Sequence, residues 1–170
     1  MISLIFIFLQ LGFAVYLLYY IIAFLSGAPY VPTTDQTAKS MITLAQLQKG
    51  DTVYDLGSGD GRLLFLAAQK GAKAVGIEIN PILVAFTKLR IFISPYKDLV
   101  TVRWQSFWKT DMREADVLFI YLLPLRMERL ETLLSRKLHK GTIVVSNSFI
   151  FPHWKIVRQD PINHVYVFRV

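Results

Sequence analysis

The spacing of apolar and polar positions changes several times along the chain, and each change marks an element. Residues 2–25 contain no charged side chain, and only Ser3, Gln10 and Gly12 interrupt the apolar run. As a helix this stretch is about 36 Å long, against a hydrocarbon core of about 30 Å, which predicts one N-terminal transmembrane helix. Tyr16, Tyr19 and Tyr20 suit an interfacial aromatic belt near its end. Two prolines, Pro29 and Pro32, then forbid helical continuation. Met41, Leu44, Ala45 and Leu47 recur at helical spacing over about 36–47, with Thr33, Thr34 or Asp35 as cap and Gly50 as stop.

From residue 52 the period alternates. Short apolar runs at 52–56, 72–79, 100–104, 116–121 and 142–146 read as strands, and helical patterns fill 61–70, 81–92 and 125–138. Pro81 suits a first helical turn, and Ser94-Pro95 a helix end. Runs at 154–159 and 164–168 flank Asp160-Pro161-Ile162-Asn163 and read as a C-terminal β-hairpin. The expected fold is α/β: seven strands in a mostly parallel sheet with one antiparallel intrusion. The expected organisation is an anchor over 1–26, a connector over 27–34 and one catalytic domain over 35–170.

Composition sharpens this picture in three places. The first segment reads less well as a signal peptide, because no Lys or Arg precedes it and it exceeds an h-region of roughly 7–15 residues, although Ser26-Gly27-Ala28 would pass as a small-residue cleavage site. It does not read as a core helix, having no polar face, or as a transit peptide, the first arginine being Arg62. The net charge of +7 lies entirely beyond it, so positive-inside bias places the C-terminal domain on the cytoplasmic side. That charge suits an anionic leaflet, RNA, an acidic protein patch, or a solvated basic surface. The chain has no cysteine, which excludes disulfides and thiolate zinc sites, and His139, His153 and His164 have no metal-ligand spacing.

The candidate chemistry gathers around Val53–Gly61. The first strand ends on Asp55 and breaks into Gly57-Ser58-Gly59-Asp60-Gly61, after which a helix begins. Such a turn brings backbone close to a ligand at the carboxyl edge of a sheet. Glu78, about 20 residues on, ends the second strand, where an acid accepts hydrogen bonds from ribose hydroxyls. The order D-x-G-x-G-x-G differs from the dinucleotide G-x-G-x-x-G. A carboxylate at the mouth suits a cationic or ammonium-bearing ligand, and S-adenosylmethionine carries a sulfonium, an ammonium, a carboxylate and a ribose. Asp60 reads as a cap for the following helix.

Tyr54–Gly61 together with Gly76–Pro81 resembles the glycine motif and the following acidic motif of class I, seven-strand S-adenosylmethionine-dependent methyltransferases. Tyr30-Val31-Pro32-Thr33, Asp55–Arg62, Gly76–Pro81 and Phe107-Trp108-Lys109, with the hydrophobic N-terminus, resemble a narrower group. These are the membrane-anchored lysine N-methyltransferases of the adenine nucleotide translocase and of the ATP synthase c subunit, with their prokaryotic relatives. The resemblance spans about 28–150 and implies a Rossmann-like sheet and S-adenosyl-L-methionine as cofactor. It implies that Asp55, Gly57, Ser58, Gly59 and Gly61 hold the amino-acid half, that Glu78 holds the ribose, and that Gln105, Ser106 and Phe107 flank the adenine. Many relatives carry an acid where Ser106 stands; Ser106 offers a weaker acceptor.

The implied function is protein-lysine N-methylation of a substrate in or beside the membrane. Methyl transfer is an in-line displacement in which the protein positions the nucleophile and excludes water. Tyr121 and the turn ending at Pro124 lie where the substrate would enter. Tyr121 either orients an incoming amine, as the catalytic candidate, or packs as a strand-end aromatic. Tyr30 either closes over the cofactor or anchors at the membrane interface. Asn147 either faces the pocket or serves a turn. The rivals are methylation of a lipid or quinone, methylation of nucleic acid, and a non-catalytic cofactor-binding scaffold. Tyr121-Leu122-Leu123-Pro124 lacks the amide and paired prolines of an N-P-P-Y tetrad, which disfavours methylation of a base amine.

Overall fold

Alternating strand and helix periods resolve into a Rossmann-like α/β fold with a seven-stranded mixed sheet. The structure, a computed structural model, describes residues 2–26, 31–122 and 127–170, the side chains of 2, 3, 19 and 22–26 apart. The helices are α1 (Ile2–Ser26), α2 (Asp35–Ala45), α3 (Arg62–Gln69), α4 (Pro81–Ile93) and α5 (Met127–Lys137). The strands are β1 (Thr52–Leu56), β2 (Lys73–Glu78), β3 (Val100–Trp104), β4 (Val117–Ile120), β5 (Ile143–Asn147), β6 (Ile156–Asp160) and β7 (Val165–Arg169), in the spatial order β3-β2-β1-β4-β5-β7-β6. The first five pair in parallel, and β7 runs antiparallel between β5 and β6. The strand order reverses between β1 and β4, which opens a crevice at their carboxyl ends.

Period-two alternation sorts side chains onto two cores. Val53, Val117, Phe119, Val145 and Val167 face α2 and α3, while Tyr54, Leu56, Leu118, Ile120, Val144 and Phe168 face α5. Both faces of the central strands are therefore covered, which is why they read as continuous apolar runs.

Element ends differ from expectation by a few residues. Helix α2 stops at Ala45, where Gln46 takes a left-handed conformation as C-cap, so Gly50 serves the turn into β1 instead of ending the helix. Thr34 is its N-cap, its side chain accepting from the Thr37 N–H. Phe107–Lys109 forms a 3₁₀ turn that no periodicity announced. Among the described residues no helix is long and apolar enough to cross a membrane. The described residues therefore do not show the expected transmembrane span.

One position in β2 decides how closely the glycine loop sits on the sheet. A Cβ at Gly76 would lie 2.6 Å from both Leu64 Cδ1 and Ser58 Oγ. Gly76→Ala is expected to cost about 1–3 kcal/mol by overpacking, read as a lower urea midpoint, with Ser58→Gly restoring part of it in the double variant. An unchanged midpoint would show that the loop has slack at this contact.

Candidate cofactor and active site

The loop after β1 is held by its own backbone. The Gly57 and Ser58 N–H groups both donate to the Ile77 carbonyl (2.8 and 3.2 Å), and Gly61 N–H donates to the Ser58 carbonyl (2.8 Å). Gly59 N–H donates to Glu78 Oε2 at 2.8 Å. With these four donors engaged internally, the loop is not a phosphate cradle, which needs free N–H groups aimed at the ligand. This agrees with the acid-first order of the motif.

Glu78 is buried and accepts three backbone N–H bonds, from Gly59 at Oε2 and from Ile79 (2.9 Å) and Asn80 (2.8 Å) at Oε1. A carboxylate offers about four lone-pair sites, so Oε2 keeps one direction open for a hydroxyl. Asp55 is buried too, and no described residue donates to its carboxyl. Burial, with the neighbouring charges of Glu78 and then Asp60, pushes its pKa up to about 8. A buried acid beside a second acid, with no donor among the described residues, is an arrangement that a cationic ligand would relieve.

Asp55, Gly57, Ser58, Gly59, Glu78 and Tyr121 line one crevice of about 700 Å³, counted out to its open mouth. Ser106 and Phe107 line a second, narrower cavity with Gln105, Ile77 and Ile79, and it shares Gly57 and Glu78 with the first. Glu78 thus stands between a polar, acidic chamber and a slot beside the buried Phe107 ring. The pair suits an elongated ligand with a flat ring at one end, hydroxyls at the middle and a cationic tail. Tyr121 lines the crevice and also stacks on Phe149, at 6.4 Å between centroids, which is the packing its strand-end reading expects.

Not every candidate residue offers a side chain to a cavity. Gly61 lines neither cavity; at φ 78° it caps α3, and a Cβ there would meet Thr87 Cγ2 at 2.8 Å, so it serves the approach of α4 to the loop. Ser58 Oγ is buried without a partner against Gly76, pointing at β2. Asn147 lines neither cavity, and its Oδ1 accepts from Ser148 Oγ at 2.8 Å. Tyr30 and Pro124 lie outside the described residues. Asp60 does serve α3, accepting from Arg62 N–H at 3.1 Å.

Tyr30 is the one connector residue the sequence offers as a cover; the wall it does not show is Val31–Thr33. Val31, Pro32 and Thr33 line the larger crevice, and Arg62 holds them there. Its Nη1 donates to the Thr33 carbonyl (2.8 Å) and to Asp35 Oδ1 (2.6 Å). The partners lie 29 and 27 residues away in sequence, so no local pattern could have paired them; the only signal was an arginine directly after the last loop glycine.

A family model described as the ANTKMT methyltransferase domain matches residues 55–158. The human ATP synthase c-subunit lysine N-methyltransferase is 33% identical over 126 residues, which cover 74% of this chain and 54% of that protein. A protein-lysine N-methyltransferase of Saccharolobus islandicus is 34% identical over 134 residues, covering 78% of this chain and 83% of that protein. A solved RNA methyltransferase of Salinibacter ruber, in complex with S-adenosyl-L-homocysteine, superposes with a TM-score of 0.77 at 38% identity, covering 82% of this chain and 92% of that one. The chain spans little more than half the length of the human relative. With the glycine loop, Glu78 and the strand order in place, the match over 55–158 shows that the chain belongs to the ANTKMT methyltransferase-domain family.

Proposed function

We propose that this chain is an S-adenosylmethionine-dependent protein-lysine N-methyltransferase acting on a protein in or beside a membrane. The observation that carries the reading is the buried Asp55 carboxyl, to which no described residue donates, set beside Glu78 at the junction of the two cavities. When bound, S-adenosylmethionine supplies an electrophilic methyl group on a sulfonium. Asp55 would hold the ammonium of the amino-acid half. Glu78 Oε2 would accept from one ribose hydroxyl without giving up the Gly59 N–H. Ser106 and Phe107 would flank the adenine. Val31–Thr33, latched by Arg62, would exclude water from the reacting centre. Tyr121, at the crevice wall, would orient an incoming neutral amine through its hydroxyl, while Phe149 steadies the ring.

The lysine substrate is supported by the kinship with the human and Saccharolobus enzymes, whose names specify lysine. Membrane tethering is supported by the uncharged composition of residues 2–25 and the 25-residue helical backbone of α1, with large apolar side chains such as Phe8, Leu9 and Phe13 exposed. Tethering raises the local concentration of a membrane substrate. The net charge of +7, all of it after residue 27, favours the catalytic domain on the cytoplasmic side.

A second reading, RNA methylation, draws on the Salinibacter structure and the +7 charge. Incubation of the full chain with radiolabelled cofactor, a membrane fraction and total RNA separates the two. Label is expected in a protease-sensitive band that releases methyl-lysine on acid hydrolysis. Label confined to RNA or to the lipid extract would overturn the lysine reading.

A further inference from the structure

Helix α4 carries apolar side chains on both sides. Val84 and Thr87 are buried against the domain. At about 100° per residue, Ile82, Phe86, Leu89 and Ile93 fall within an arc of about 60° on the opposite side. Phe92 and Ile93 are 79% and 74% exposed, and Ile82 is 72% exposed. Trp104, 69% exposed at the end of β3, extends the patch at the helix start, where its Nε1 donates to the Ile79 carbonyl at 2.9 Å. A helix on the outside of a domain ordinarily turns a polar face to water. A contiguous exposed apolar strip marks a surface that something covers.

Chain connectivity and charge select the occupant. The only charged residues of α4 are cationic: Arg90 turns inward, its Nη1 donating to the Asp60 carbonyl at 2.5 Å, and Lys88 is exposed. Asn80 and Leu83, at the start of α4, line the same crevice as Val31–Thr33. Val31 follows Ser26, the last residue of α1, by five positions, at most about 18 Å of extended chain. A membrane that holds α1 therefore lies close to the start of α4. We propose that the outer face of α4, with Trp104, rests in the interfacial layer of that membrane. Its apolar side chains enter the headgroup–acyl boundary, and the exposed Lys88, off to one side of the strip, extends its long side chain toward anionic headgroups. The proposal rests on the membrane-anchor reading above. It makes the anchor and α4 two contacts that together fix the domain's orientation, with the crevice mouth held near the membrane plane.

The absence of cysteine allows single-site spin labelling without background. The full chain would be reconstituted into vesicles of phosphatidylcholine and phosphatidylglycerol. Labels would be placed at Phe92→Cys and Ile93→Cys on α4, at Val15→Cys on α1, and at Ile162→Cys in the β6–β7 turn as the water reference. Collision with oxygen, which concentrates in lipid, is compared with collision with a water-soluble nickel chelate. The proposal expects an oxygen-to-nickel ratio at Phe92 and Ile93 several-fold that at Ile162, falling when phosphatidylglycerol is left out. Water-like values at both α4 sites with a lipid-like value at Val15 would overturn the α4 contact and leave the anchor standing. Water-like values at all four sites would overturn the anchor itself. Labels on α4 shielded from both colliders would mean a protein occupant, α1 or a second copy, and would also overturn the proposal.

Discussion

Glu78→Ala is expected to abolish cofactor binding and to destabilise the free protein at once. The substitution removes the acceptor of three backbone N–H groups, of which Gly59 N–H belongs to the loop that forms the floor of the crevice. Hydrogen bonds to a charged group are each worth about 1.5–3 kcal/mol, and a buried donor left unpaired costs about 1–3 kcal/mol. Water will reach part of the site, so a net loss of about 2–4 kcal/mol is expected. The measurements are a urea unfolding midpoint and calorimetric titration with S-adenosylhomocysteine. Glu78→Gln discriminates further. Its amide oxygen can keep one set of N–H bonds while its NH₂ opposes the other, so it should recover part of the stability and little of the binding. An unaltered midpoint in Glu78→Ala would show that the N–H bonds do not hold the loop.

Asp55→Asn is expected to act in opposite directions on stability and on binding. In the free protein burial raises the Asp55 pKa from 3.8 to about 8. Below about pH 3.8 the carboxyl is protonated in both folded and unfolded chains, and its contribution to stability is fully present. As pH rises toward about 8 the unfolded chain releases this proton first, so stability falls by at most about 1.4 kcal/mol per pH unit. Above that range the dependence ends. Asp55→Asn removes the effect, so its stability advantage over the parent should grow across this window and then level off. Binding runs the other way. A cationic ligand favours the carboxylate, so complex formation below pH 8 releases a proton. Affinity should then rise with pH, by up to about tenfold per unit, and flatten once Asp55 is already ionised. In Asp55→Asn binding should be weak and free of this dependence. Calorimetry in buffers of different ionisation enthalpy counts the proton directly. A stability difference between the two proteins that does not change with pH would refute the buried-acid description.

Much of the site's polar half is legible in the order of residues alone. The glycine spacing, the acid at the end of β1 and the acid at the end of β2 are local signals, because a strand followed by a tight turn puts its last residues at the sheet edge whatever the rest of the chain does. The roles inside that motif are less legible. Gly61 meets α4, and Ser58 lines the crevice with its hydroxyl turned to β2, since their surroundings come from Thr87 and Gly76, far along the chain. The Arg62 latch on Thr33 and Asp35 joins segments nearly thirty residues apart. No period or spacing encodes which partner a long flexible cation will find.

The outer face of α4 shows the same division at a larger scale. Its apolar residues are plain in the sequence, but apolar positions all round a helix do not say which side the domain buries. That choice follows from β3 being the edge strand of the sheet, which leaves α4 packed on one side only. Element order, the parallel sheet and the acid-first glycine loop could be read from the residues alone, because they rest on periodicity, turn chemistry and short-range connectivity. Which loop N–H groups are spent internally, which acid receives no donor from the described residues, and which side of α4 faces outward emerged only in the folded molecule. Those depend on contacts between residues distant in the chain, and such contacts exist only once the sheet has closed over its two cores.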